Sequence, residues 1–147
     1  MQPTFQVQLK IQKPVAQCFD AVVNPKQLSG YFTRAASGPL AEGATVMWSF
    51  PEFEGELPVK VRQVVANERI VLEWQAEEQG GKATQVEMLF KPLDAASAML
   101  QISESGFRET PQGIENSYGN CGGWMHMLCC LKAYLEYGIN LRAGGAR

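Results

Sequence analysis

Few side chains of this 147-residue sequence stand in spacings that do chemistry. His126, the single histidine, precedes Cys129 and Cys130 by three and four residues, which on a helix brings an imidazole and two thiols within one turn, half of a zinc site. A structural zinc needs four ligands and no second cluster supplies the rest, so the expectation is a histidine on a helix flank and no metal. Cysteine–histidine catalysis fails in the same way, because no third orienting group stands at recognisable spacing. Glu52, Glu54 and Glu56 are spaced by two beside Phe53 in an acidic turn. Carboxylates at a pocket mouth do general acid–base work when burial raises their pKa, but acidic turns are mostly solvated. Glu104 and Arg108, near the end of a strand, form another polar pair that either orients a ligand or lies at the surface. Gly80-Gly81 lacks the spacing and the following helix of a phosphate loop. No catalytic constellation emerges.

These residues are carried by elements with clear periods. Between Gly119 and Gly138, Trp124, Leu128, Leu131 and Leu135 recur at i, i+4, i+7 and i+11, one stripe of an α-helix that Met127 widens. Gly138 sits where a left-handed cap would end it, and Thr110-Pro111 reads as a cap followed by a helix-starting proline. At the other end, Phe5, Val7, Leu9 and Ile11 alternate with polar residues, a strand with one buried face. Pro14 closes it, Val15, Cys18, Phe19 and Val22 mark a short amphipathic helix, and Asn24-Pro25 opens a second one through Phe32.

From Thr33 the period becomes two. Val46, Trp48 and Phe50 share a face, followed by Leu57, Val59 and Val61, then Ile70, Leu72 and Trp74, then Val86, Met88 and Phe90, then Ala98, Leu100 and Ile102. Turns separate these runs at Pro51–Gly55, at Asn67-Glu68, at a flexible Gln79–Lys82 connection and around Pro92–Ala95. Successive strands without intervening helices pair antiparallel. A sheet with one apolar face needs a cover, and the last helix is the one element long enough to provide it.

The length suits one domain with one core, and 46% hydrophobic against 19% charged residues excludes a disordered chain. A formal charge of −2 with scattered Lys and Arg argues against nucleic acid. No long uncharged apolar segment and no basic-then-apolar amino terminus predicts a membrane span or signal peptide. The four cysteines, three of them on the last helix, are poorly spaced for a disulfide framework, so buried thiols in a reducing, cytoplasmic setting are expected.

The order of strand, two short helices, strands and long carboxy-terminal helix resembles the START-like, or SRPBCC, superfamily, and within it the homologues of the heat-shock-protein-90 ATPase activator. Pro14-Val15, Phe19, Asn24-Pro25, Leu28 and Tyr31-Phe32 carry the resemblance early in the chain. Gly123-Trp124, Leu128, Leu131-Lys132 and Tyr134-Leu135-Glu136 carry it late. Tyr31 stands where these proteins often have Trp. The resemblance implies an α+β helix-grip fold, a curved antiparallel sheet wrapped around the last helix, as a single domain over residues 1–141 with 142–147 as a loose tail. It also implies a cavity between sheet and helix that takes an apolar ligand. The expected partner is therefore a small apolar or aromatic molecule, with no cofactor.

The residues expected to wall that cavity are Phe19, Trp48, Phe50, Trp74, Met88, Phe90, Ile102, Trp124, Met127 and Leu128, with Glu54 and Arg108 as polar handles. Large rings and flexible Met suit an adaptable apolar site, although the same residues also make a filled core. Gly122-Gly123 in the helix reads either as close helix-to-sheet packing or as a kink that widens the cavity mouth. An enzyme of the polyketide cyclase and aromatase sort is the alternative. It would need an ionisable group deep in the cavity, where the inward strand positions are almost wholly apolar. A chaperone-activating interaction domain is the third reading, and Tyr137 and Ile139 suit a two-fold homodimer.

Overall fold

The computed structural model describes residues 2–75 and 82–144, so most of the Gln79–Lys82 connection and the tail beyond residue 144 lie outside the described residues. Strand β1 (Phe5–Ile11) buries Ile11 completely and sets its other apolar residues against the core while Gln6, Gln8 and Lys10 face water. Helix α1 (Val15–Val23) follows directly, with Cys18, Ala21 and Val22 buried. Asn24 then ends α1 and caps α2 (Pro25–Leu28), its side chain accepting from the Lys26 N–H at 3.0 Å. Pro25 holds the first helical position, where a missing N–H costs nothing. Just beyond α2, Tyr31 is buried and its hydroxyl donates to the Ala21 carbonyl at 2.9 Å, which locks the two short helices together.

Six further strands complete one antiparallel sheet: β2 (Ala35–Ala36), β3 (Thr45–Ser49), β4 (Leu57–Val65), β5 (Arg69–Trp74), β6 (Thr84–Asp94) and β7 (Ser97–Ser105). Their order across the sheet is β1-β7-β6-β5-β4-β3-β2, so β1 joins β7 at one end and every other strand pairs with its chain neighbour. Asn67 makes the β4–β5 turn with φ 62°, a left-handed conformation that Asn tolerates. Between Val61 and Gln63 the register with β5 slips by one residue. Such a bulge bends the strand and resets its alternation, so that Val64, opposite Ile70, turns back to the core.

Helix α3 (Pro111–Tyr137) lies across the concave face. Thr110 caps it by accepting from the Gly113 N–H at 3.0 Å, and Gly138 ends it at φ 67°. Trp124, Met127, Leu128, Cys130 and Leu131 are buried against the sheet, each large apolar side chain contributing about 1.5–3 kcal/mol. The last turn is tied to the end of β1. Lys132 Nζ donates to the Lys10 carbonyl at 2.8 Å and to Glu136 Oε2 at 2.6 Å, while Glu136 Oε2 also accepts from the Gln12 N–H at 2.9 Å. A curved, unclosed sheet around one long helix is the α+β helix-grip fold. No helix among the described residues is long and apolar enough to cross a membrane.

Candidate functional site

Strand β7 alternates Ala98, Leu100, Ile102 and Glu104 toward the helix, so the fourth inward position is a carboxylate, and it is 1% exposed. An ionisable group taken out of water needs partners. Four side chains from three other elements donate to it. Trp124 Nε1 reaches Oε1 at 2.8 Å; Trp74 Nε1 and Thr84 Oγ1 reach Oε2 at 3.0 and 2.6 Å. Asn120 Nδ2 bridges both oxygens at 3.2 Å. The inward strand face therefore contains an ionisable group, contrary to its almost wholly apolar reading. Period two carries straight on from Ile102 to Glu104, and that was the signal.

In front of this cluster, between the open end of the sheet and the middle of α3, is a cavity of about 480 Å³. Phe32, Phe50, Trp74 and Trp124 form its aromatic wall. Phe32 meets Phe50 edge-on at 5.1 Å, while the Trp74 and Trp124 rings tilt together at 5.4 Å. The helix side is Gly119, Asn120, Gly122, Gly123 and His126. A Cβ built on Gly119, Gly122 or Gly123 would meet nothing within 4 Å, so these glycines are not there for close helix-to-sheet packing. Their bare backbone leaves space that side chains would fill. Helix α3 runs unbroken through Gly122-Gly123.

Glu52, Phe53, Leu57 and Gln75 complete the rim with Arg142. The chain beyond α3 turns back so that the Arg142 guanidinium lies 5.9 Å from the centre of the Phe32 ring and pairs with Glu52. Only 12% of that arginine side chain is exposed. Residue 142, assigned to a loose tail by the sequence reading, thus belongs to the cavity rim.

Of the residues expected to wall the cavity, Phe50, Trp74 and Trp124 line it. Trp48, Met88, Phe90, Ile102, Met127 and Leu128 are buried behind it in the core, and half-buried Phe19 packs edge-on against Phe90. Trp48 stays in touch as the second layer, edge-on to Trp74 at 6.0 Å. Glu54 and Arg108 are exposed and outside the lining; Glu52 is the carboxylate of the acidic turn that reaches it. Phe32 and Asn120 were not among the expected wall residues. Asn120 precedes Trp124 by four residues, one helical turn on the same face, which is the signal that places it.

His126 lines the cavity, and its Nε2 lies 3.5 Å from Cys130 Sγ. Burial pushes the Cys130 thiol up from its ordinary pKa, and Cys18 up to about 11. Among the described residues no group of three His, Cys, Asp or Glu side chains is placed to hold a metal.

The model of the family described as "Activator of Hsp90 ATPase homolog 1-like protein" matches residues 12–136. Three solved structures illustrate the shared fold. Protein SSP2350 of Staphylococcus saprophyticus superposes with a TM-score of 0.80 at 24% identity, covering 95% of this chain and 96% of that one. DynU16, of the dynemicin biosynthetic locus, gives 0.78 at 22% identity over 92% of this chain, which spans 48% of DynU16. The Aha1 dimer from Colwellia psychrerythraea gives 0.77 at 18% identity, covering 92% of this chain and 98% of its counterpart. Comparison with curated protein sequences finds no match.

Proposed function

The chain belongs to the Activator of Hsp90 ATPase homolog 1-like family, and we propose that it binds a small, largely apolar or aromatic molecule between the sheet and α3. The observation that carries this reading is the pairing of an aromatic wall with a helix side on which three of the lining residues are glycines. Phe32, Phe50, Trp74 and Trp124 offer ring faces and edges, and Gly119, Gly122 and Gly123 leave the opposing space empty. Glycine in a helix interior costs about 1 kcal/mol relative to alanine. Three of them at one cavity wall make sense if the space is used. A cavity of about 480 Å³ holds a molecule of two or three fused rings or a medium acyl chain.

Native mass spectrometry of the protein, exposed to a panel of aromatic compounds and fatty acids, tests this reading. The expected result is an adduct lost on denaturation and lost again in Gly122→Leu, whose side chain would occupy the cavity. A clean mass against the whole panel, or undiminished binding in Gly122→Leu, would move the functional site elsewhere.

A cyclase-like enzyme is the second reading, and Glu104 is the observation that favours it. The carboxylate does not line the cavity: it lies behind Asn120, Trp74 and Trp124, which do, and its oxygens are taken up by these three and Thr84. This placement suits support of the wall better than proton transfer to a ligand. A two-fold homodimer is proposed on separate grounds: Tyr137 at the end of α3 and Ile139 and Leu141 just beyond it are each exposed, and the superposing Aha1 structure is described as a dimer. Light scattering at increasing protein concentration decides it.

A further inference from the structure

Glu104 does more than hold the wall. It decides which end of the Asn120 amide faces the cavity, and this inference rests on the ligand-binding reading above. Both Glu104 oxygens are acceptors, and both take the Asn120 Nδ2 at 3.2 Å. Turning the amide over would set Oδ1 against the carboxylate, replacing two hydrogen bonds by acceptor-to-acceptor repulsion. The carbonyl Oδ1 is therefore the end that Asn120 has left, and no described residue donates to it. Asn120 lines the cavity. The same carboxylate consumes the indole N–H groups of Trp74 and Trp124, so these two rings bring no donor to the ligand, only their apolar bodies.

We infer that the cavity presents a hydrogen-bond acceptor, Asn120 Oδ1, oriented by Glu104 beside the Trp74–Trp124 pair, and that it selects an aromatic ligand carrying a hydroxyl or N–H donor. Such a ligand lies against the aromatic wall of Phe32, Phe50, Trp74 and Trp124 and points its donor at Asn120. A ligand of the same skeleton ending in an ether leaves Oδ1 desolvated and unpaired, which is where discrimination arises. Asn120 is a binding residue in this scheme and Glu104 a positioning residue.

The test is calorimetric titration of the full chain with 2-naphthol and with 2-methoxynaphthalene. Wild-type protein is expected to bind 2-naphthol about tenfold more tightly, the ratio that one well-made hydrogen bond supplies. Asn120→Leu, which keeps the branching of the side chain but removes both polar atoms, is expected to bring the two affinities within about twofold by weakening 2-naphthol alone. Glu104→Gln, whose amide both donates and accepts, frees the Asn120 amide to turn and should also lower the ratio. Equal affinities in wild-type protein overturn the inference while leaving the cavity as a binding site, and that comparison needs no variant to fold. A ratio that survives Asn120→Leu overturns it as well. Binding of neither probe overturns the cavity reading and this inference with it.

Discussion

Trp124 donates its indole N–H to Glu104 Oε1 across 2.8 Å, and this bond ties the middle of α3 to the inward face of β7 behind the cavity wall. It joins the covering helix to the sheet through a polar contact in an otherwise apolar interface. It also fixes the plane of the ring that forms part of the cavity wall. The packing of α3 and the shape of the cavity wall therefore meet at one carboxylate.

Removing that carboxylate leaves four donors without their shared acceptor, those of Thr84 and Trp124 buried and those of Trp74 and Asn120 partly so. Glu104→Ala is expected to lower unfolding free energy by about 3 kcal/mol or more, whereas Glu104→Gln, which keeps acceptor capacity on one oxygen, should cost about half as much. Urea denaturation followed by tryptophan fluorescence measures both. A loss below about 1 kcal/mol for Glu104→Ala would mean that water replaces the carboxylate at little cost.

Two glycines of one helix should respond with opposite signs. A Cβ on Gly113 would stand 1.9 Å from the Arg108 carbonyl oxygen, so Gly113→Ala must shift the helix start and is expected to cost about 2–3 kcal/mol. A Cβ on Gly122 meets nothing within 4 Å, and Gly122→Ala should gain about 1 kcal/mol from helix propensity. Thermal melts of the two variants beside wild type give the comparison directly.

Glu136 predicts a pH dependence. Burial opposes its ionisation, but the Gln12 N–H and the Lys132 ammonium outweigh that and hold its carboxyl below the usual carboxylate range. A folded-state pKa below the unfolded one contributes stability above about pH 4.3, and this contribution is lost as pH falls through the folded value. Glu136→Gln should therefore be less stable than wild type at pH 7, with the gap narrowing as the pH is lowered to about 3. Urea midpoints across that range test it; a gap that stays constant would mean the link between α3 and β1 is not electrostatic.

The four thiols should divide by burial. Cys18 and Cys130 are fully buried, with their pKa raised chiefly by desolvation, Cys18 to about 11, so burial both shields these thiols and disfavours their thiolate forms. Only Cys121 and Cys129, both partly exposed, are expected to react with an aromatic disulfide reagent in the native protein. Mass mapping of the modified cysteines reads the result. Labelling of Cys18 in folded protein would show that α1 opens under native conditions.

Much of this architecture is local in origin and could be read from the chain itself. Period two places Val46, Trp48, Val59, Ile70, Leu72, Val86, Met88 and Leu100 inward, since successive side chains of a strand must point to opposite faces. Asn24-Pro25 and Thr110-Pro111 start their helices because the cap and the proline act within one turn. The stripe of Trp124, Leu128 and Leu131 identifies the covering helix for the same reason.

The cavity was decided only by the tertiary structure. Whether an inward ring fills the core, like Trp48, or faces open space, like Trp74, depends on what the facing element offers, and bare glycines at 119, 122 and 123 are what α3 offers there. The alternation of β7 points Glu104 inward. Its four donors come from β5, β6 and two consecutive turns of α3, separated from it by 16 to 30 residues. Arg142 reads as tail because no local pattern reports a chain that folds back onto Phe32 and Glu52. Periodicity determines which side of an element is apolar; the assembled partners determine whether that side is packed, hydrogen-bonded or left open.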